Sequence, residues 1–414
     1  MSTTASSRSV VDLSGCPVID DHCHGFRVAE LLDRDPDGWE DRLTMMGMCA
    51  ASSGSDDPRI AAQIRSLRDE TMFALTCRRW LAGFLRAPAE SAALAAARHA
   101  AFCAEGAGYV ARLLADQHVV AVIADDGYPR PAVTRAEFEE ALGARRGADG
   151  SVRGTAVYRI ARIEPWVAEL QDRGLSFSDF EAAFEARLDE AAADPLLVGY
   201  KSIVAYRTGL DVGAPTRAET AAAYEAWRAS GWVDDRGPGK TVRDSLLRST
   251  LGAARRHDRV VHLHVGGGDP DIVLAHARPQ DVFPLLHDHM DQPVVLIHGG
   301  YPWMTEAAYI ASILPFVYVD LSEFLPWASL GADRELEMLL GVVPAGKLLY
   351  GSDEASEPEV FWVAARLARA ALERVLSGAV ERDHVTAAEA GRIGRGVLAG
   401  NTARLHGLEI GSGG

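Results

Sequence analysis

Hydrophobic residues in this chain fall into short continuous runs, separated by longer stretches of helical periodicity. The runs are Val18-Ile19, Val119 to Ala124, Thr155 to Ile163, Leu196 to Ile203, Val260 to His264, Val294 to Ile297, Phe316 to Val319 and Leu348 to Tyr350. Each reads as a strand apolar along its length, as parallel strands are when helices cover both faces of the sheet. Amphipathic segments between them predict helices near Arg135 to Leu142, Phe177 to Ala193, Ala218 to Ala229 and Val242 to Arg256. Others are expected up to His289 and over Thr305 to Ile313, Arg334 to Leu340, Val360 to Leu376 and Ala387 to Leu405. Eight such units predict a (β/α)₈ barrel of the TIM type, which needs roughly 250 residues. An open doubly wound sheet is the runner-up, but no GxGxxG turn follows the first strand.

The rhythm is interrupted once. Residues from Asp57 to Asp116 are rich in Ala, Leu and Arg, with Ile60, Ile64, Leu67 and Met72 at helical spacing. That is too long for an ordinary connection. It predicts a helical insertion over 26–116, a barrel built from 10–25 and 117–380, and a C-terminal helix with a flexible tail over 381–414. Phe73, Arg78, Arg79, Trp80 and Phe84 read as helix core and solvated face, with a lid over the site as the alternative.

Composition narrows the partners. The 414 residues are 48% hydrophobic and 24% charged, as in a soluble globular protein. A net charge of -16 argues against nucleic acid and anionic membrane and leaves a small-molecule partner. Cys16, Cys23, Cys49, Cys77 and Cys103 show no CxxC spacing and read as reduced thiols of a cytoplasmic protein. Met1 to Ser9 lacks the apolar core of a secretory signal, and Gly411 to Gly414 reads as disordered. No apolar run approaches the roughly 18 residues a membrane span needs. A homo-oligomer stays open.

The chemistry sits at strand ends, where a barrel of this kind carries its active site. In order these ends supply His22 and His24, then Lys201, His264, His298 and Asp353. Residues two apart on a strand share a face, so His22 and His24 form a ready pair of metal ligands. The spacing alone is weak, because His262/His264 and His287/His289 repeat it. A core histidine, a snorkelling lysine or an N-cap aspartate would each explain one of these residues. Their joint placement at equivalent ends is harder to explain so, since buried imidazoles and carboxylates need partners and a metal supplies them. His262 reads as a hydrogen-bonded core histidine one layer deeper.

The set HxH, Lys, His, His, Asp on strands one, four, five, six and eight resembles the amidohydrolase superfamily, of the amidohydrolase-2 type. The second half most resembles the amidohydrolase domain fused to glutamine-synthetase-like modules in FluG and nodulin-like proteins. The resemblance is carried by Val198-Gly199-Tyr200-Lys201-Ser202-Ile203, Tyr206-Arg207-Thr208-Gly209-Leu210, His264-Val265-Gly266-Gly267-Gly268-Asp269, His298-Gly299-Gly300-Tyr301-Pro302 and Gly351-Ser352-Asp353. Two departures stand out: this chain carries no synthetase module, and His262 occupies a place where a neutral polar residue is expected.

A divalent metal, with Zn²⁺ the first expectation, held by His22, His24, His264 and Asp353 would lower the pKa of a water to about 7. Asp353 then serves as base and acid, and His298 polarises the carbonyl oxygen. For Lys201 the resemblance implies a carbamate bridging a second metal; the alternative is a salt bridge to an inward carboxylate such as Glu164. Arg162, Glu164 and Arg207, just past strand ends, are expected to grip an anionic or amino-acid-like substrate, or else to staple loops to the rim. The leading reading is a metal-dependent amidohydrolase that cleaves a C–N bond, of γ-glutamyl type for example, in a small carboxylate-bearing substrate. A metal-dependent decarboxylase and a non-catalytic metal-stabilised scaffold or signalling domain are the alternatives.

Overall fold

The structure is a computed structural model that describes residues 10–32, 36–147, 151–233 and 236–409. The expectations for Met1 to Ser9 and for Gly411 to Gly414 lie outside the described residues. Eight strands form one parallel sheet in chain order: β1 (Val18–His24), β2 (Val119–Asp125), β3 (Ala156–Arg162), β4 (Leu197–Ser202), β5 (Val260–His264), β6 (Val294–Ile297), β7 (Val317–Asp320) and β8 (Leu348–Leu349). The ladder runs from β1 to β8, and backbone bonds bring its ends together. Asp21 N–H donates to the Tyr350 carbonyl at 2.8 Å, Asp353 N–H to that of His22 at 2.8 Å, and His24 N–H to that of Glu354 at 2.7 Å. This is the (β/α)₈ barrel the apolar runs predict.

Register decides which side chains are neighbours across the sheet. His24 pairs with Asp125, Arg162 with Lys201, Lys201 with His262, and His264 with Ile297. The tilt of the strands brings His24, Lys201 and His264 to one cavity at the C-terminal mouth.

Seven helices lie between β1 and β2 among the described residues. The 91–105 helix is fixed to the barrel by Arg98, whose Nε donates to Glu359 Oε1 at 2.6 Å and Nη2 to Glu357 Oε2 at 2.9 Å. Tyr109 Oη donates to the same Glu359 oxygen at 2.9 Å. Phe73 packs on Trp327 at 4.5 Å between ring centroids, and Phe84 on Trp362 at 5.2 Å. These aromatics are core, as their helical spacing suggests.

Three features depart from the expected pattern. A helix at Ile163–Asp172 follows β3 directly, and a small hairpin pairs Arg145–Arg146 with Val152–Arg153. The C-terminal segment is broken into Ala387–Arg395, a π-helical turn at Gly396–Gly400, and Asn401–His406. It plugs the barrel. Leu405 packs with Val260, Val295, Ile297 and Leu349, while Leu408 packs with Ile123, Ile160 and Val198.

Candidate active site

Strand ends, loops and one insertion helix enclose a cavity of about 570 Å³ lined by His24, Lys201, His264, His298 and Asp353. Three ligand-type groups converge within it. His22 Nε2 and His24 Nε2 stand 3.1 and 3.4 Å from Asp353 Oδ1, and one atom of each residue lies within 4.8 Å of the others. Asp353 Oδ1 nevertheless has no directed hydrogen bond among the described residues, and neither does Nδ1 of His22 or His24. A second group joins His298 and Glu323 to the same Asp353.

Burial and the neighbouring Lys201 push the His22 imidazole down to about 4, and the same two causes push His264 to about 3. Neutral imidazoles keep the lone pairs a metal needs. Burial by itself would raise the Asp353 carboxyl, but His298, His22 and His24 outweigh it and hold Asp353 well below the carboxylate range. Two imidazoles and an ionised carboxylate aimed at one point fit a divalent cation.

Lys201 is buried between Asp125 Oδ2 at 2.9 Å and His22 Nε2 at 2.7 Å. Its carboxylate partner is therefore Asp125 and not Glu164. Asp125 also takes both Nε and Nη2 of Arg162, the Nε at 2.9 Å. Glu164 turns away from the cavity, accepting from Ser202 Oγ at 2.7 Å and Ile203 N–H at 2.9 Å. Of the three residues expected to grip substrate, Arg162 and Arg207 line the cavity. Arg207 alone of them has a side chain with no hydrogen-bond or ion-pair partner among the described residues; its backbone N–H donates to the Val204 carbonyl at 2.9 Å.

His264 lines the same cavity but stays outside the His22–His24–Asp353 group. Its Nε2 donates to the Gly267 carbonyl at 2.9 Å, and its ring packs at a tilt against Tyr206, 4.6 Å between centroids. That tautomer leaves Nδ1 as the acceptor. The loop beyond needs its glycines. A Cβ on Gly268 would fall 1.8 Å from Tyr206 Oη, and Gly266 sits at φ +91 against the Tyr301 carbonyl.

His298 is held by a relay. Asp320 Oδ1 accepts from His298 N–H at 3.0 Å and from the Ser322 hydroxyl, and Ser322 Oγ stands 2.9 Å from His298 Nδ1. With its proton given to Asp320, the hydroxyl is left to accept from Nδ1–H, so His298 keeps its lone pair at Nε2. His298, Glu323 and Asp353 all hold positive φ, at 66, 57 and 59. Such backbone strain collects at functional sites. Asp353 is not a helix cap, because the next helix begins at Pro358 with Glu357 in the cap position.

The roof comes from a part of the insertion that sequence reasoning did not single out. Met45, Met48, Cys49 and Ser52 of the 45–52 helix face the cavity, and Ser52 Oγ bonds Asp269 Oδ1 at 2.5 Å. Asp125 and Glu323 were missed as site residues too. Asp125 ends a strand in register with His24, a signal the strand-end rule could have used. Glu323 lies in an irregular turn and left no such mark.

A (β/α)₈ barrel with imidazoles and a carboxylate gathered at its C-terminal mouth has the architecture of a TIM-barrel metallohydrolase. More particularly, the chain belongs to the amidohydrolase family, whose sequence model, described as Amidohydrolase, matches residues 81–405. The family generally uses divalent metals. The chain is 34% identical over 247 residues to Protein fluG of Emericella nidulans, a match that covers 56% of this chain and 28% of that protein. It thus spans well under half the length of that curated relative. A Lactobacillus casei protein described as a metal-dependent hydrolase superposes with a TM-score of 0.79 at 23% identity, covering 97% of this chain and 100% of that one. Uronate isomerase of Thermotoga maritima gives 0.64 at 14% identity, covering 95% of each chain. These two likenesses show the fold. Among the described residues no helix is long and apolar enough to cross a membrane.

Proposed function

We propose that the protein is a metal-dependent amidohydrolase that cleaves the C–N bond of a small carboxylate-bearing amide. The observation that carries this reading is the convergence of His22, His24 and an ionised Asp353 at a cavity that the unpaired Arg207 side chain also lines. His22, His24 and Asp353 would hold the cation, with His264 Nδ1 as a further donor. A divalent ion, Zn²⁺ for example, supplies there a Lewis acid that lowers the pKa of a water molecule toward neutrality.

The remaining steps belong to the chain. Asp353, kept ionised by three imidazoles, accepts the proton of the attacking water and passes it to the departing nitrogen. Lys201 acts as a positioning residue through Asp125, which neutralises its ammonium; with a cation bound, the single lone pair of His22 Nε2 belongs to the cation and no longer accepts from Lys201. A carbamate at Lys201 would set a second anion against the buried Asp125, so the unmodified lysine and a single metal are the better fit. His298 turns its protonated Nδ1 toward Ser322, with Glu323 Oε2 at 3.6 Å and Asp353 Oδ2 at 3.8 Å, and so supports the ionised Asp353 from the side. Arg207 pairs with the substrate carboxylate, and the 45–52 helix excludes bulk water.

The test is a substrate panel. Protein supplied with Zn²⁺ and offered γ-glutamyl and other N-acyl amides should release amine. A panel of aromatic and dicarboxylic acids should release no CO₂. Release of CO₂ without amine would replace this reading with a decarboxylase.

A further inference from the structure

Inside the barrel, one layer below the mouth, a second group of ligand-type side chains takes no part in the chemistry above. Asp21 comes from β1, His262 from β5 and His406 from the last helix. Their side chains are fully buried. His406 Nε2 stands 3.1 Å from Asp21 Oδ1, and His262 Nε2 stands 3.8 Å from Asp21 Oδ2. One ligand atom from each residue lies within 4.8 Å of the others. The two imidazole centroids are 5.4 Å apart.

Hydrogen bonding inside the group is incomplete. Asp21 Oδ2, both ring nitrogens of His262, and His406 Nδ1 have no partner among the described residues. Apolar clusters flank the group, Val260, Val295 and Leu405 on one side and Ile19 and Ala403 on another, while the His22 ring stands 6.3 Å from that of His262 on the mouth side. Buried polar atoms in such a setting are unfavourable unless something satisfies them. A lone Asp21–His406 hydrogen bond would satisfy one pair and leave His262 with nothing. The expectation of a hydrogen-bonded core histidine at 262 is therefore not met by protein atoms.

We propose that Asp21, His262 and His406 form a second divalent-metal site, of transition-metal type, that fastens the C-terminal helix into the barrel. Two imidazoles and one carboxylate suit Zn²⁺ and similar ions, whereas Ca²⁺ and Mg²⁺ call for oxygen ligands. Ligand atoms about 2.0–2.2 Å from a tetrahedral ion stand roughly 3.3–3.6 Å from one another. The observed 3.1 Å, to Asp21 Oδ1, and 3.8 Å, to Oδ2, lie to either side of that spacing. The site shares no residue with the His22–His24–Asp353 group. Its three ligands come from the start, middle and end of the fold, so an ion there closes the chain on itself.

The test counts metal. Wild type, His24→Ala, His406→Gln and the double variant are stripped with chelator, reloaded with Zn²⁺ alone, desalted and analysed for zinc. Glutamine keeps an amide that can donate to Asp21, so it preserves a plain hydrogen-bonded plug while removing an imidazole ligand. His406→Gln should lose about one equivalent whether or not His24→Ala also does, which separates this site from the mouth. In the His24→Ala background Zn²⁺ should raise the melting temperature, and adding His406→Gln should abolish that rise. Circular dichroism confirms the fold, and His262→Gln serves as the second variant should His406→Gln not fold. Full zinc retention in a folded His406→Gln or His262→Gln protein would overturn the proposal and leave water or the bare hydrogen bond in the site.

Discussion

At the scale of single residues, Asp353 carries the most weight. Small residues precede it, its φ is positive, and three imidazoles hold it ionised. Asp353→Asn keeps size and one oxygen but removes the base. Turnover should fall by about 10²- to 10⁴-fold while the melting temperature holds, measured as amine release and by thermal denaturation. Arg207→Lys keeps charge but loses the planar fork. KM should rise by roughly tenfold with kcat little changed, as loss of about 1.4 kcal/mol of binding would produce. Unaltered steady-state kinetics would return Arg207 to the rim. His22, His24, Lys201, His264, His298 and Asp353 were legible because each ends an apolar strand. Partners were not. Lys201 was given an inward carboxylate such as Glu164, but the closed barrel brings it against Asp125 on a strand two places away. No spacing within one strand encodes that.

Among elements, the strands could be read because parallel strands covered on both faces are continuous apolar runs. The 163–172 helix was overlooked for the converse reason. It begins directly where β3 ends, inside the apolar run read as one strand, and Pro165 sits in its first turn, where proline is welcome. The insertion was legible as helical but not as to which helix forms the roof, since that depends on packing. Its attachment offers a prediction. Arg98→Ala would leave Glu357 and Glu359 buried without their guanidinium, destabilising the protein by about 3–5 kcal/mol. Urea denaturation should show that loss, and a change within error would mean the insertion is held by its other contacts, the Tyr109 bond to Glu359 and the aromatic pairs among them. The glycine loop after β5 makes a different claim. Gly268→Ala forces Tyr206 aside and with it the ring packed on His264. Activity should drop far more than stability, as paired kinetics and melting curves would show.

At the scale of the whole molecule, one barrel serves two purposes. Its C-terminal mouth gathers imidazoles and carboxylates from β1, β5, β6 and β8 and their loops, while its opposite end is filled by the chain's own C-terminal segment. Eightfold architecture was readable from the rhythm of the sequence. The plug was not, because Ala387 to Leu405 has the same amphipathic pattern whether it lies on a barrel or enters it. The central claim is that the mouth is a metal-dependent hydrolytic centre, and amine release before chelation, after chelation and after return of Zn²⁺ tests it most directly. The account predicts activity that disappears with chelator, returns with Zn²⁺ in wild type, and does not return in Asp353→Asn. Amine release that continues undiminished in metal-stripped protein would contradict it.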